Sequence, residues 1–394
     1  MSRIKVAHIT TIDISLRYLL LNQLRSLKQA GYEVIGISSP GKEVQYIEAT
    51  GIRHKPVKIT RSFTPFQDLK TLLGLYRHFC NDRFTIIHTH TPKPGLLGQL
   101  AARMVNAPII VNTLHGFYFH NGMHPAMRRF YIVLEKIAAK CSDVILSQNR
   151  EDIETAIREG ICRPEKIKYL GNGIDVERFN PVNLSPEDIL QKRLEIGLTS
   201  ESLVVGFVGR FVKEKGLLEL FEAAKIVRAR IPEVRFLIIG PEDTNKPDSL
   251  TPHSVERYGV ADICHFTGVR QDMPELYSLM NVLVLPSHRE GFPRAPMEAS
   301  AMKVPCIITD IRGCRETIEH DRNGLLVPLG NIGALADAII DLLTDREKAR
   351  RMGEEGRRIA LERFDERFVF EKVKAEYARL LREKGLPVPE PLTE

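Results

Sequence analysis

The sequence predicts an α/β protein made of two doubly wound parallel sheets, and three observations carry the prediction. Short apolar, β-branched runs alternate with amphipathic stretches along the chain, the spacing of βαβ units. The series runs twice, on either side of an Asn- and Pro-rich stretch at 178–188 that reads as a linker. The 394 residues, 43% of them apolar, suffice to bury two cores of ordinary size.

In the first half the strand candidates are 4–10, 33–38, 54–59, 84–90, 109–115, 143–148 and 167–170, each an apolar run bounded by turn residues. Helical periodicity fills 16–30, 64–80, 95–105, 126–140 and 151–159. The second series places strands at 203–208, 235–240, 265–268, 282–286, 306–309 and 325–327. Its helices are expected at 215–230, 252–259, 272–279, 294–303, 332–345 and 346–362. A charged amphipathic stretch, 368–384, precedes a Pro-rich tail. The expected domains are therefore 1–180 and 181–365, followed by a terminal helix and tail at 366–394. Ligands of such sheets bind beyond the carboxyl ends of the strands, where strand order reverses, and two facing sheets would make an interdomain cleft.

Composition removes several classes. No 18-residue uncharged apolar run exists and the N-terminus lacks a signal-peptide layout, so a cytoplasmic placement is expected. The six cysteines are scattered without a Cys-x-x-Cys pair, which indicates neither a disulfide framework nor a thiolate zinc site. The net charge of +6 hides an asymmetry. Residues 1–150 carry 20 Lys and Arg against 8 Asp and Glu, a balance of +12 that leaves −6 for the remainder. A half so basic suits an anionic membrane face or a lipid diphosphate, with a merely solvated surface as the lesser reading. No aromatic-flanked basic cluster or zinc finger is present, so no nucleic-acid partner is expected.

Two motifs carry chemistry. Gly206-Phe-Val-Gly209-Arg210-Phe-Val-Lys213-Glu-Lys215-Gly216 runs from a strand into a loop with three cations between glycines. Glycine lets backbone approach a phosphate, Arg offers a fork and Lys a point charge, so the loop suits a diphosphate. The pattern is neither a Walker A loop nor the dinucleotide Gly-x-Gly-x-x-Gly, which disfavours NTP hydrolysis and NAD binding. The second motif follows the apolar run at 281–286: Glu290 and Glu298 flank the corner Gly291-Phe292-Pro293, eight residues apart. A helix starting there would turn free N–H groups toward an anion, and Pro293 and Pro296 fit only within its first turn. Two glutamates at a helix start also simply stabilise its dipole. Their proximity to Arg210 and Lys215 at neighbouring strand ends favours a ligand site.

These segments resemble the retaining family 4 glycosyltransferases of the GT-B fold, with two Rossmann-like domains facing a cleft. The resemblance rests on Gly209-Arg210 with Lys215-Gly216, Phe266-Thr-Gly268, Leu285-Pro286-Ser287, the Glu290/Glu298 pair, Gly313 before Glu316, and Asn323-Gly324-Leu-Leu-Val327. It implies that Arg210 and Lys215 bind the donor diphosphate and Glu298 the ribose. Glu290, with the backbone of Gly291, Phe292 and Pro293, would meet the donor sugar, and the base would sit near Val269 and Arg270. It also implies retention, a nucleotide sugar as substrate, and a terminal helix packed back on the first domain. Positive side chains in place of a metal make a metal-independent reaction without cofactor the expectation.

The first half holds eight of the twelve histidines, many at strand ends, in Thr85-Ile-Ile-His88-Thr-His90 and Asn112-Thr-Leu-His115-Gly-Phe-Tyr-Phe-His120. Zinc on His88, His90, His115 and His120 is one reading, but strand-end histidines without carboxylate or cysteine partners more often hold ligand or loops, so no metal is expected. The resemblance places His115 beside the transferred sugar as a catalytic group with Glu290, and His88 and His90 in the wall of the cleft. The wording of both segments is similar to transferases that extend polyprenyl-diphosphate-linked sugars in surface polysaccharide assembly. Many relatives carry a Gly-Gly loop after the first strand, whereas this chain reads His8-Ile-Thr10-Thr11-Ile-Asp13-Ile-Ser15, which leaves Asp13 or Ser15 to contact a substrate, Asp13 being the candidate acceptor contact with His88 and His90.

The expected function is transfer of a sugar from a nucleotide diphosphate sugar, UDP-linked by expectation, to a lipid-linked or glycan acceptor at the inner membrane face. A nucleotide-sugar epimerase shares this architecture, and incubation with UDP-GlcNAc without acceptor separates the two. A non-enzymatic nucleotide-sugar scaffold is the third reading, disfavoured by intact Arg210, Lys215, Glu290 and Glu298.

Overall fold

The computed structural model describes residues 4–120, 122–243 and 246–391. The ends of the expected domains, 1–3 and 392–394, lie outside them. The chain forms two units, one running to Gly171 and taking in the segment from Val369 onward, the other spanning Asn172–Phe368.

Unit 1 contains β1 (Lys5–Ile12), β2 (Glu33–Ser39), β3 (Arg53–Pro56), β4 (Ile86–His90), β5 (Ile109–Leu114), β6 (Val144–Ser147) and β7 (Ile167–Tyr169), all parallel, in the order β3-β2-β1-β4-β5-β6-β7. Helices cover both faces, as parallel strands require, and β1, β4 and β5 are buried on both sides although they place His8, His88, His90 and Asn112 among their apolar residues. Val6, Ile86, Ile109 and Val111 pack on one face with Val369, Val373, Tyr377, Leu380 and Leu381 of the terminal helix Glu366–Glu383. Ala7, Ile9, Ile87 and Ile110 pack on the other with Leu75 and Phe79 of helix Pro65–Asp82 and Ala101 and Ala102 of helix Pro92–Met104. Side chains alternate along a strand, so His8 shares a face with Val6, and His88 and His90 with Ile86.

Unit 2 contains β8 (Leu203–Val208), β9 (Val234–Ile239), β10 (Cys264–Gly268), β11 (Val282–Leu285), β12 (Cys306–Thr309) and β13 (Gly324–Val327), parallel in the order β10-β9-β8-β11-β12-β13. Its core gathers Phe207, Phe221, Phe236, Tyr277 and Phe364, each at most 1% exposed. Full burial of each such aromatic removes apolar surface worth about 1.5–3 kcal/mol from water. Strand order reverses between β1 and β4 in unit 1 and between β8 and β11 in unit 2, which fixes where each sheet offers its ligand crevice.

Several boundaries differ from the sequence expectation. The strand expected at 54–59 ends at Pro56, and Ile59 instead bonds the Ser39 hydroxyl through its N–H at 2.8 Å. The single helix expected at 16–30 is a short turn, a π-helical stretch Leu16–Leu20 and then helix Leu21–Gln29. The expected linker ends in a helix, Pro186–Ile196, started by a reciprocal Ser185/Asp188 capping box. The unit boundary falls at Gly171 because the Ile174 N–H bonds the Phe364 carbonyl at 2.8 Å and the Glu366 N–H returns to the Ile174 carbonyl at 3.0 Å.

Candidate functional site

In unit 2 the loops after β8 and β11 interlock at the switch point. The His288 N–H bonds the Glu214 carbonyl at 2.9 Å, and Gly216 turns with φ +73°, where a Cβ would run into the Pro286 carbonyl. Only glycine lets the two backbones approach so closely. The result brings Lys215 onto Glu290, Nζ to Oε1 at 2.5 Å, with side chains 17% and 10% exposed. The Ser287 hydroxyl donates to the same oxygen at 2.8 Å, and Thr309 donates to the Ser287 carbonyl behind it. Gly313, at φ +86°, lets its turn lie against the Glu290 and Gly291 carbonyls. Glu214 anchors this loop: burial pushes its carboxyl up, but Arg289 at 2.6 Å and Lys246 at 3.0 Å outweigh that and hold it down to about 2.

The other expected donor-site residues have partners of their own. Arg210 follows β8 and meets Asp243, Nη1 to Oδ2 at 2.7 Å. Glu298 lies on helix Arg294–Ala301, whose N-cap is Pro293 and whose third residue is Pro296; no side chain caps it. Its Oε2 accepts from the Tyr277 hydroxyl at 2.9 Å, and Arg294 stands 3.8 Å from Oε1. Burial, then the Glu298 charge, pushes the Tyr277 phenol far up, so it stays a proton donor that fixes the carboxylate. Phe292 is a core residue, its ring edge-on to Phe364 at 6.0 Å and its carbonyl accepting from Asn172 at 3.0 Å. Val269 is 62% exposed beyond Gly268, while Arg270 is tied to Asp272 and Glu195 at 2.8 and 2.7 Å. Sequence reasoning missed Ser287, Asp243 and Tyr277, which act through a partner; the Leu-Pro-Ser lead-in was the one available signal.

In unit 1 the histidines form a connected chain. His115 Nδ1 lies 3.0 Å from Gln148 Oε1, and His115 Nε2 lies 3.2 Å from His90 Nδ1. His90 Nε2 meets His8 Nδ1 at 3.0 Å, and His8 Nε2 meets the Tyr377 hydroxyl at 3.3 Å. The same hydroxyl meets His88 Nδ1 at 2.6 Å, and His88 Nε2 meets Thr113 Oγ1 at 2.7 Å. Burial lowers His8 to about 3 and His115 to about 4, and holds His88 and His90 well below the usual range. All four imidazoles are neutral at pH 7.

His88 and His90 are 0% and 1% exposed with both ring nitrogens engaged inside the unit, so neither presents a nitrogen for the acceptor contact expected of them. His8, which sequence reasoning passed over, replaces His115 and His120 in the tightest cluster: one nitrogen each of His8, His88 and His90 lies within 4.8 Å of the others. Those lone pairs already serve the hydrogen-bond chain, and among the described residues no carboxylate is bonded to it, which suits an imidazole network better than a cation. Asp13 is 5% exposed and accepts the Glu43 N–H at 2.8 Å over Gly41, an anchor for the loop after β2. Thr11 and Thr91 meet at the β1/β4 switch point, Oγ1 to Oγ1 at 3.0 Å.

Two parallel Rossmann-like units, each with its strand order reversed at a switch point, are the architecture of the GT-B class. The solved structure of HepE from Anabaena in complex with UDP and glucose has this fold, with a TM-score of 0.82 over 96% of this chain and all of that one, at 20% identity. The family model described as glycosyl transferases group 1 matches residues 188–359, and that described as Glycosyltransferase Family 4 matches 18–178. The chain is 30% identical over 350 residues to the UDP-Gal:alpha-D-GlcNAc-diphosphoundecaprenol alpha-1,3-galactosyltransferase of Escherichia coli, covering 88% of this chain and 89% of the relative. It is also 30% identical over 386 residues to the capsular polysaccharide biosynthesis glycosyltransferase CapM of Staphylococcus aureus, covering 96% and 98%. The chain belongs to glycosyltransferase family 4.

Proposed function

We propose that the protein transfers a hexose or N-acetylhexosamine from a UDP-sugar to a polyprenyl-diphosphate-linked sugar, with retention at the anomeric carbon and without a metal. The observation that carries this reading is the match over 350 residues to a transferase named for a diphosphoundecaprenol-linked acceptor, in a chain that has the Lys215–Glu290 pair at the switch point. In the proposed reaction the bond from the anomeric carbon to the diphosphate breaks while the acceptor oxygen bonds the same face. The acceptor proton passes to a donor phosphoryl oxygen. Arg210 and Lys215 stabilise the charge growing on the diphosphate, which requires Arg210 to leave Asp243 and Lys215 to share itself between Glu290 and phosphate. Glu298, oriented by Tyr277, grips the ribose; Glu290 orients the sugar, with the Gly291-Phe292-Pro293 backbone beside it. The base lies by Val269 and Arg270, and His115 lies beside the transferred sugar. Asp13, His88 and His90 serve the acceptor side by shaping the strand ends.

The same reading seats unit 1 on an anionic bilayer. Helix Pro65–Asp82 exposes Phe66, Leu69 and Leu73 on one face, and helix Pro125–Cys141 exposes Met127, Phe130, Val133 and Ile137 on one face. The Phe63 ring, 68% exposed, meets Phe130 at 6.1 Å and joins the two stripes. Exposed Lys70, Arg77, Arg129 and Lys140 lie on the same helices. Apolar insertion flanked by cations suits anionic lipid. No helix among the described residues is long and apolar enough to cross a membrane.

The test is a screen of UDP- and GDP-sugars against a membrane lipid extract, read as nucleotide release and as a mass shift of the lipid-linked sugar. Release from a UDP-sugar that needs the lipid fraction is expected. Donor consumption that ignores the lipid fraction would refute the acceptor assignment. Vesicle binding that is equal at low and high salt would refute the electrostatic seat.

A further inference from the structure

We propose that Gln148 and Tyr377 are positioning residues for His115, acting through a one-way hydrogen-bond chain that holds its proton on Nδ1 and commits its Nε2 to His90. This rests on the reading above, in which His115 lies beside the transferred sugar.

The direction follows from the two ends. Gln148 Oε1 can only accept, so His115 carries hydrogen on Nδ1 and its Nε2 must accept from His90 Nδ1. His90 Nε2 then accepts from His8 Nδ1, and His8 Nε2 from the Tyr377 hydroxyl. The phenol oxygen accepts from His88 Nδ1, and the Thr113 hydroxyl closes the chain by donating to His88 Nε2. Every link receives one proton, and all four imidazoles are the Nδ1–H tautomer. Reversing any one of them would set two donors or two lone pairs against each other in a buried site, so the protons move together or not at all. Turning the Gln148 amide over is the one local change that would drive the reversal. His115 therefore meets the sugar as a neutral ring without a proton to give, and its orientation is set from two distant elements, the segment after β6 and the terminal helix.

The experiment is nitrogen-15 histidine spectroscopy of the full chain, with donor kinetics on the same samples. The expected wild-type pattern is four imidazoles protonated on Nδ1, three of them buried and His115 partly so. In Gln148→Leu the anchor is lost, and the signals of His115, His90, His8 and His88 should shift together, although only His115 touches residue 148. Adding Tyr377→Phe should stop that shift at His8. Gln148→Glu, an acceptor only, should restore the Nδ1–H pattern. Gln148→Leu should lower kcat about tenfold with donor KM held, by analogy with the lower end of the effect of removing the outer partner of a metal-bound imidazole. Should Gln148→Leu not fold, Gln148→Ala, which likewise offers no acceptor to Nδ1–H, is read in the same way. A shift confined to His115, or a wild-type His115 protonated on Nε2, would overturn the chain. A concerted shift with unchanged kcat would leave the chain standing and overturn its link to the sugar.

Discussion

Acidification should unfold unit 1 with a steepness that counts its buried histidines. In the folded protein His8, His88, His90 and His115 stay neutral through pH 5, since burial lowers His8 to about 3, His115 to about 4 and the other two well below the usual range. In the unfolded chain each titrates near pH 6.5. Their folded values are depressed, so the stability they allow is fully present above the unfolded value and is lost as pH falls. One group in the same unit works the other way: burial, then the Asp152 charge, pushes Glu135 up to about 7, so the folded state binds that proton early. Four protons refused and one taken early leave a net of about three between pH 6 and 5, and His54 of the same unit, also lowered by burial, adds in the same direction. At about 1.4 kcal/mol per proton per pH unit the slope is about 4 kcal/mol per pH unit, against a typical total stability of about 5–15 kcal/mol. Hydrogen-exchange mass spectrometry in urea at stepped pH reads it, because peptides of β1, β4 and β5 report unit 1 separately from unit 2. A slope below about one proton, ~1.4 kcal/mol per pH unit, would refute the neutral buried chain.

Other outcomes follow from unit 2. Lys215→Ala and Glu290→Gln should each lower kcat by about 10²–10³, the scale of removing one preorganised electrostatic group; transfer rates within tenfold of wild type would remove the pair from the reaction. Glu298→Ala and Arg210→Ala should weaken donor binding, read by calorimetry with UDP, and unchanged affinity in both would refute the donor site. Tyr277→Phe should weaken UDP binding in the same direction as Glu298→Ala but less, since it frees the carboxylate without removing it. Gly216→Ala should cost roughly 3 kcal/mol from the positive φ and the Pro286 carbonyl, a fall of roughly 6–12 °C in the melting temperature of unit 2. A change under about 2 °C would mean that the two loops tolerate separation.

The parallel strands were legible because burial on both faces leaves an unbroken apolar run, as in Val282–Leu285 and Leu203–Val208. Lys215 and Glu290 were legible as neighbours, though not as an ion pair, because both motifs sit at strand ends that sheet topology brings together. The helix Pro186–Ile196 was missed although Ser185 and Asp188 spell its capping box, because neighbouring Asn and Pro residues read as a linker. The π-helical turn at Leu16–Leu20 follows from how β1 hands over to its helix, which no local pattern encodes. The role of the histidines was least legible. A period-two pattern puts His88 and His90 on one face, but it says nothing of Tyr377, 289 residues away, which claims His88 Nδ1.

That separation has a consequence for the order in which the protein is made. At about 5–20 residues per second, the ribosome finishes the strands of unit 1 roughly ten seconds or more before the helix that covers one of their faces emerges. Through that interval His8 and His88 lack their phenol, and the apolar face of β1, β4 and β5 lacks Val373, Tyr377 and Leu381. The nascent first half is thus a client for chaperones, and a nonsense mutation anywhere before residue 369 leaves it uncovered for good.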